Sequence, residues 1–379
     1  MGSLAPTGYH PLPVHIAFLG TRGVPARYSG FETCVEQVGR RMAARGHEVT
    51  VFCRRSASGE APDVYDGMRL RHLPSIHQKH LETLSHTALS AVRLPRKAAL
   101  VVMGVGNAPV VRLLEARGRR AVFNVDGADW QRDKWGGLAS RYLRSCETLA
   151  AGGRSILIAD GVAVQRSYLE RFDRQSELVA YGADAPADRG TEALDSFGLR
   201  SGEYLLWVGR LVPENGAHDF LEAVTRSRID VPAVVVGDAP YQHEYIAQLH
   251  RNAPANAIFT GFQFGAAYQQ LTAHAGLYVL AATVGGTHPV LVEQMGAGNC
   301  VLARDTESDR EVLGEGGHYW QSADELAELI CDLWKDAAAR RSEGARARRR
   351  VEADYSWERV TDRYLELCER SLSAPAAAG

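Results

Sequence analysis

The chain has 379 residues, 45% of them apolar, with 43 basic against 45 acidic side chains. That is enough apolar material for two or three packed domains, and it excludes global disorder. A net charge of −2 argues against a nucleic-acid protein, whose footprint is a basic domain.

Six scattered cysteines (Cys34, Cys53, Cys146, Cys300, Cys331, Cys368) form no C-x-x-C pair. The chain therefore reads as reduced and cytoplasmic, and not as a disulfide scaffold or zinc module. Residues 1–13 lack the basic-then-apolar pattern of a signal peptide. They also miss the myristoylation pattern, because Pro6 stands where Ser or Thr is needed, and they read as a tail. The longest apolar run, 98–111, is interrupted by Gly, Asn and Pro and is too short to span a bilayer.

In chain order, "VHIAFLG" (14–20) reads as a strand, followed by the loop "TRGVPARYSG" and a helix over 31–45 that Gly46 ends. "EVTVFCR" (48–54), "ALVVMG" (99–104), "RAVFNVDG" (120–127) and "SILIAD" (155–160) read as further strands. The stretch 182–198, polar and rich in Ala, Gly and Asp, reads as a boundary. The alternation then repeats with strands at 203–210, 233–238, 257–262, 277–282 and 299–305, and helical patterns between them.

Short apolar strands separated by helices imply parallel sheets covered on both faces. The expectation is α/β, with two doubly wound Rossmann-like domains, 14–185 and 186–354, facing across a cleft. An amphipathic helix over 355–372 is expected to pack back on the first domain, and 373–379 is a tail. The run "RRSEGARARRR" (340–350) reads as a solvated helix face, with contact to anionic lipid head groups as a second reading.

The chemistry concentrates in "GLYVLAATVGGTHPVLVEQMGAGNCVLA" (276–303). An apolar strand runs into Gly285 and Gly286, then Thr287, His288 and Pro289, and a helical spacing follows. Proline suits a first helical position. Such a corner offers free backbone N–H groups and the positive end of a helix dipole, which suit a phosphate. Glu293, about one turn in, is placed like a carboxylate that holds ribose hydroxyls. Upstream, Arg210 follows the strand end in "WVGRLVPEN" and reads as a diphosphate clamp. In isolation, each of these is also an ordinary feature: a glycine turn, a solvated glutamate, a surface arginine.

Taken in order, these segments resemble a known family. "VGRLVPEN" ahead of "GGTHPVLVEQMGAGNCVLA" is similar to the C-terminal nucleotide-sugar domain of retaining glycosyltransferases of family 4, which have the GT-B fold. "GTRGVPARYSGFET", "LPSIHQKHLETLSHTALS", "GVGNAP" and "NVDGADWQRDKWG" resemble the rhamnosyltransferase-like branch of cell-surface polysaccharide assembly. The resemblance runs from about residue 14 to 372.

It implies that Arg210 contacts the donor diphosphate, with Gly285, Gly286, Thr287 and His288 on the same ligand and Glu293 on the ribose. Asn215 stands where most of the family has a lysine, and the family's first glutamate has no counterpart around Thr283. Gly30, in "RYSGFE" with Ser29 in place of a common glycine, is implied near the diphosphate. Glu32, Lys79, His80, His86 and Asn107 are implied on the acceptor side. Without the resemblance, Lys79, His80 and His86 read as a polar helix face. Asp126 stands where many relatives have a histidine facing the reacting sugar, and it also reads as a cap of the following turn. Arg210, Asp126 and Glu293 are the catalytic expectation.

The implied activity is metal-independent transfer, with retention, from dTDP-rhamnose or a UDP-hexose to a glycan, lipid-linked or small-molecule acceptor. It needs no cofactor and takes place in the cytoplasm or at the inner membrane face. Asp126 and Asp129 are the nearest approach to a metal-binding D-x-D pair. A degenerate relative that binds nucleotide sugar without transfer is the alternative, and a sugar-nucleotide epimerase or a phosphorylase is a third reading.

Overall fold

The computed structural model describes residues 13–26, 30–55, 62–76, 82–125, 137–239, 242–284 and 287–373. Its first half contains β1 (His15–Leu19), α1 (Gly30–Ala44), β2 (Glu48–Arg54), β3 (Val64–Tyr65), β4 (Met68–Leu73), α2 (Glu82–Val92) and β5 (Ala99–Met103). It continues with α3 (Ala108–Ala116), β6 (Ala121–Asn124), α4 (Gly137–Ala151), β7 (Ile156–Ala159), α5 (Val162–Phe172) and β8 (Glu177–Leu178). These strands form one sheet in the order β3-β4-β2-β1-β5-β6-β7-β8. β1 pairs in parallel with both β2 and β5, and β3 pairs antiparallel with β4.

The second half opens with α6 (Glu192–Ser196), β9 (Leu205–Val208), α7 (Ala217–Ser227), β10 (Ala233–Val236), α8 (His243–Asn252), β11 (Ala257–Gly261), α9 (Gly265–Ala273) and β12 (Leu277–Leu280). Then come α10 (Pro289–Ala297), β13 (Val301–Arg304), α11 (Glu307–Leu313), β14 (His318–Trp320), α12 (Ala323–Trp334), α13 (Ala337–Asp354) and α14 (Trp357–Ser373). The second sheet has the order β11-β10-β9-β12-β13-β14.

The apolar runs explain this sheet directly. Successive strand residues point to opposite faces. Leu206, Val234, Val236, Tyr278, Leu280, Val301 and Ala303 fill one core, while Leu205, Trp207, Ala233, Val235, Leu277, Val279 and Leu302 fill another. Both faces are covered, so neither strand face is polar.

The chain divides into two compact units. One runs to Phe123 and takes in Gly153–Ile156 and the chain from Tyr364 onward; the other is Asn124–Gly152 with Leu157–Arg363. In the first unit, Cys34 Sγ lies 3.7 Å from the Tyr364 hydroxyl, so the last part of α14 packs on α1.

Several elements depart from the sequence reading. β3, β4, β8 and β14 are additional strands. The polar stretch 182–198 contains α6, whose Ala193 and Leu194, with Leu199 after it, are buried in the second sheet's core. The arginine run is not a simple solvated face: Gly344, Ala347 and Val351 are buried, and Arg350 turns inward. Its Nε and Nη2 donate to the carbonyls of Val312 (2.6 Å) and Glu311 (2.7 Å), acceptors that the end of α11 leaves without helical partners. Among the described residues, no helix is long and apolar enough to cross a membrane.

Candidate functional site

In the second sheet the chain winds from β9 to β10 and β11 on one side, and from β12 to β14 on the other. β9 and β12 are hydrogen-bonded neighbours, so the winding reverses between them. In open α/β sheets, ligands bind outside the carboxyl ends of the strands at such a point. Two loops emerge there. One carries Arg210 from β9 and the other leads from β12 to α10.

The loops are locked to each other. The Thr283 backbone N–H and hydroxyl both donate to the Glu214 carbonyl, at 2.9 and 3.2 Å. Gly216 sits at φ +70° where a methyl would collide with the Ala281 carbonyl oxygen, so only glycine allows α7 to start this close to β12. Asn215 Nδ2 donates to the Arg210 carbonyl (2.9 Å), so its amide braces the arginine loop. The Arg210 guanidinium has no hydrogen-bond or ion-pair partner among the described residues. A partly exposed guanidinium held by its backbone and unpaired at its head is placed to receive an anion.

α10 begins as the sequence suggests, with His288 at the N-cap and Pro289 next. His288 Nδ1 lies 3.0 Å from Asp309 Oδ1 and Nε2 lies 3.4 Å from the Val284 carbonyl, so the ring ties the loop to α11. Thr287 is buried and its hydroxyl donates to the Asp160 carbonyl at the end of β7. The adjoining Val162 N–H donates to Glu311 Oε2 (2.8 Å), and Arg166 pairs with Glu307 (2.7 Å). The β7–α5 corner is thus fastened to the start of α10 and to α11.

Glu293 is partly buried and accepts from the Tyr268 hydroxyl through Oε2 (2.5 Å), leaving Oε1 without a partner among the described residues. Burial raises its pKa, and the bond from Tyr268 opposes that rise. Tyr268 is itself raised well above the ordinary phenol value by burial and by the Glu293 charge. Sequence reasoning did not find Tyr268. Its partner lies 25 residues away on another helix, and no local motif announces the pair.

The structure brings Arg210, Asn215, Thr287, His288 and Glu293 to this end of the second sheet. Gly285, Gly286, Asp126, Asp129, Ser29, Lys79 and His80 lie outside the described residues. Gly30, Glu32, His86 and Asn107 belong instead to the first unit. Gly30 opens α1, with Glu32 buried in its first turn. Glu32 acts electrostatically on Cys53 and Arg54 at the end of β2. His86 does not lie on a polar helix face: it is fully buried, on the side of α2 that also buries Thr87 and Ser90.

Two domain families match the sequence. "Glycosyl transferase 4-like domain" covers residues 29–182, and "Glycosyl transferases group 1" covers 202–336. The O-antigen chain mannosyltransferase C of Escherichia coli is 22% identical, over 90% of this chain and 95% of that protein. The phosphatidyl-myo-inositol mannosyltransferase of Mycobacterium tuberculosis is 25% identical, over 76% of this chain and 78% of that protein. Among solved structures, Anabaena Alr3699/HepE in complex with UDP and glucose superposes with a TM-score of 0.77 at 18% identity, covering 94% of this chain and 100% of that one. With a glycosyltransferase domain matched in each half and two doubly wound parallel sheets of GT-B form, the chain is a GT-B glycosyltransferase of the group 1 and family 4-like class.

Proposed function

We propose that the protein transfers a hexosyl or rhamnosyl group, with retention and without a metal, from a nucleotide diphosphate sugar to a glycan, lipid-linked or small-molecule acceptor. The observation that carries this reading is that Arg210 and the N-terminus of α10 follow the neighbouring strands β9 and β12 at the switch point of the second sheet, with Glu293 about one turn into that helix.

Arg210 and the α10 N-terminus receive the diphosphate. Glu293, oriented by Tyr268, receives ribose hydroxyls on Oε1. His288 holds the loop, and Asn215 acts through Arg210 rather than by touching phosphate itself. Gly285, Gly286 and Asp126 keep the roles that the family resemblance implies. The solved neighbour's complex with UDP and glucose supports a nucleotide-sugar donor, and the mannosyltransferase relatives support a glycan or lipid-linked acceptor.

In the reaction, the bond between the sugar's anomeric carbon and the diphosphate oxygen breaks. The acceptor hydroxyl oxygen attacks that carbon on the same face, and its proton passes to the departing phosphate oxygen. The protein's contribution is electrostatic: it meets the negative charge that grows on the diphosphate. The test is a donor panel in EDTA, dTDP-rhamnose and UDP-hexoses included, followed by nucleotide diphosphate release and by NMR of the product's anomeric configuration. One donor turned over with retention supports the proposal. Release that needs added metal, or an inverted product, contradicts it, and donor binding without release under a broad acceptor mixture leaves a binding protein.

A further inference from the structure

His288 stands at the N-cap of α10, and both of its ring nitrogens face oxygen. Nδ1 lies 3.0 Å from Asp309 Oδ1, and Nε2 lies 3.4 Å from the Val284 carbonyl oxygen. A carbonyl oxygen only accepts, and so does a carboxylate. A neutral imidazole has one N–H and one lone pair, so beside a carboxylate it satisfies only one of these contacts. Both are made when the pair carries one proton more. One proton then lies between Oδ1 and Nδ1, and another between Nε2 and Val284. In that form the pair is net neutral, whichever partner owns the first proton, and its titration belongs to the pair.

Asp309 is placed to need that proton. It is 0% exposed, so bulk water does not serve its carboxylate. Its backbone N–H donates to the Thr306 hydroxyl (3.1 Å) at the N-cap of α11, and that hydroxyl donates to Oδ2 (2.8 Å). Oδ1 is left for His288. Among the described residues, His288 is the basic side chain that pairs with Asp309. A buried carboxylate without an opposing charge is strongly disfavoured.

The other ionisable groups on the elements around α10 are engaged elsewhere. Arg310 pairs with Asp305 and lies over the Tyr319 ring, Arg350 donates to the Glu311 and Val312 carbonyls, and Arg166 pairs with Glu307. Glu311 accepts from the Val162 N–H, and Glu293 from Tyr268. On β12, burial pushes the Tyr278 hydroxyl well above the ordinary phenol value, and the Asp309 and Glu293 charges push it further, so it stays neutral.

Loss of the shared proton changes the corner twice over. One ring nitrogen then turns a lone pair toward an oxygen, and the loop loses its tie either to Val284 or to α11. Asp309 also keeps an uncompensated negative charge beside the helix start that receives a diphosphate. Arg210 brings one positive charge to this end of the sheet and Asn215 brings none, so one added negative charge is not swamped.

We propose that donor binding is gated by one proton held between His288 and Asp309: the net-neutral pair fixes the α10 loop and admits the diphosphate, and the deprotonated pair opposes it. Asp309 is a positioning residue that acts through His288. The gate rests on the diphosphate reading above; the shared proton does not.

The test is calorimetric UDP affinity on the full chain in EDTA, from about pH 5 to about pH 9. Wild type, Asp309→Asn and His288→Asn are compared, with folding checked by thermal melts. In Asp309→Asn the amide donates to Nδ1 and its oxygen accepts from Thr306, so a neutral ring keeps every contact and the charge is gone. His288→Asn leaves the carboxylate charged. UDP has a proton of its own to lose in this range, so affinities are compared between proteins at each pH. The wild type is expected to bind about tenfold tighter than His288→Asn at the acid end, and to lose that advantage in one single-proton step as pH rises. Asp309→Asn is expected to show no such alkaline loss. Each variant alone decides the point, so a failure of one to fold leaves the test intact. Histidine ¹⁵N spectra of the free protein read the proton without a ligand. The signal missing from His288→Asn is expected to carry both ring protons at a pH where Asp309→Asn carries one. Wild-type affinity that runs parallel to the variants at every pH overturns the gate, and a uniform loss in Asp309→Asn assigns Asp309 a packing role only. A ring that titrates alike in wild type and Asp309→Asn overturns the shared proton. A wild type that shows the shared proton but binds no nucleotide upholds the pair and removes the donor reading, and the gate with it.

Discussion

Glu293, the proposed ribose ligand, is held against the preference that its burial sets. Burial favours its neutral form, whereas a carboxylate that receives ribose hydroxyls acts in its charged form. The sign follows. A carboxyl whose folded pKa lies above its ordinary 4.5 is destabilising once pH exceeds that folded value, and the cost disappears below the ordinary value. Glu293→Gln is therefore expected to leave Tm unchanged or higher at pH 7 while weakening donor binding about tenfold or more, as thermal melts and donor KM will show. Tyr268 contributes the opposing bond. Tyr268→Phe is expected to raise the Glu293 pKa further and shift the acidic limb of the kcat/KM profile to higher pH. A limb that stays in place while activity falls uniformly would assign Tyr268 a packing role only.

At the scale of elements, the site is a matter of loops clamped between strand ends. Gly216→Ala forces a methyl toward the Ala281 carbonyl and a side chain into φ +70°. The expected result is a loss of about 1–3 kcal/mol in stability, together with loss of nucleotide binding, because Arg210 and Thr283 hang on the same turn. Arg350 does comparable work away from the site, satisfying two carbonyls at the end of α11. Arg350→Ala is expected to cost about 1–3 kcal/mol in denaturant melts, with kcat nearly unchanged.

These elements were unequally legible in the sequence. β5, β10 and β12 are short, wholly buried apolar runs that mark themselves, and so is β1 after His15. β4 alternates buried Met68 and Leu70 with exposed Arg69 and Arg71 and looks polar in sequence, and β3, β8 and β14 are only two or three residues long. At the site, Arg210 and Glu293 stand out because strand-glycine-helix corners have a linear signature. The Tyr268–Glu293 pair, the Asn215 brace and the buried position of His86 are contacts between distant segments. In "LSHTALS", the serines and threonine around His86 give no apolar period to betray that it faces inward.

At the scale of the molecule, two parallel sheets each present a switch point, and the chain adds α14, which contributes to both compact units. Through Arg363 the helix belongs to one unit, with Trp357 and Val360 buried; from Tyr364 it belongs to the other, with Leu367 and Cys368 buried. Tyr364→Ala removes a fully buried aromatic beside Cys34 and is expected to cost about 3 kcal/mol or more. Calorimetry checks this, and a change below 1 kcal/mol would show that α14 is dispensable to the first unit.

In the proposed function, the second sheet's switch point holds a nucleoside diphosphate on Arg210 and the start of α10. The most direct measurement is the equilibrium affinity of UDP and dTDP for the wild type and for Arg210→Ala, in EDTA and with folding verified by circular dichroism. The wild type is expected to bind at least one of the two, and the substitution to weaken that binding tenfold or more. Undiminished binding by a folded Arg210→Ala, or no binding of either nucleotide by the wild type, contradicts it.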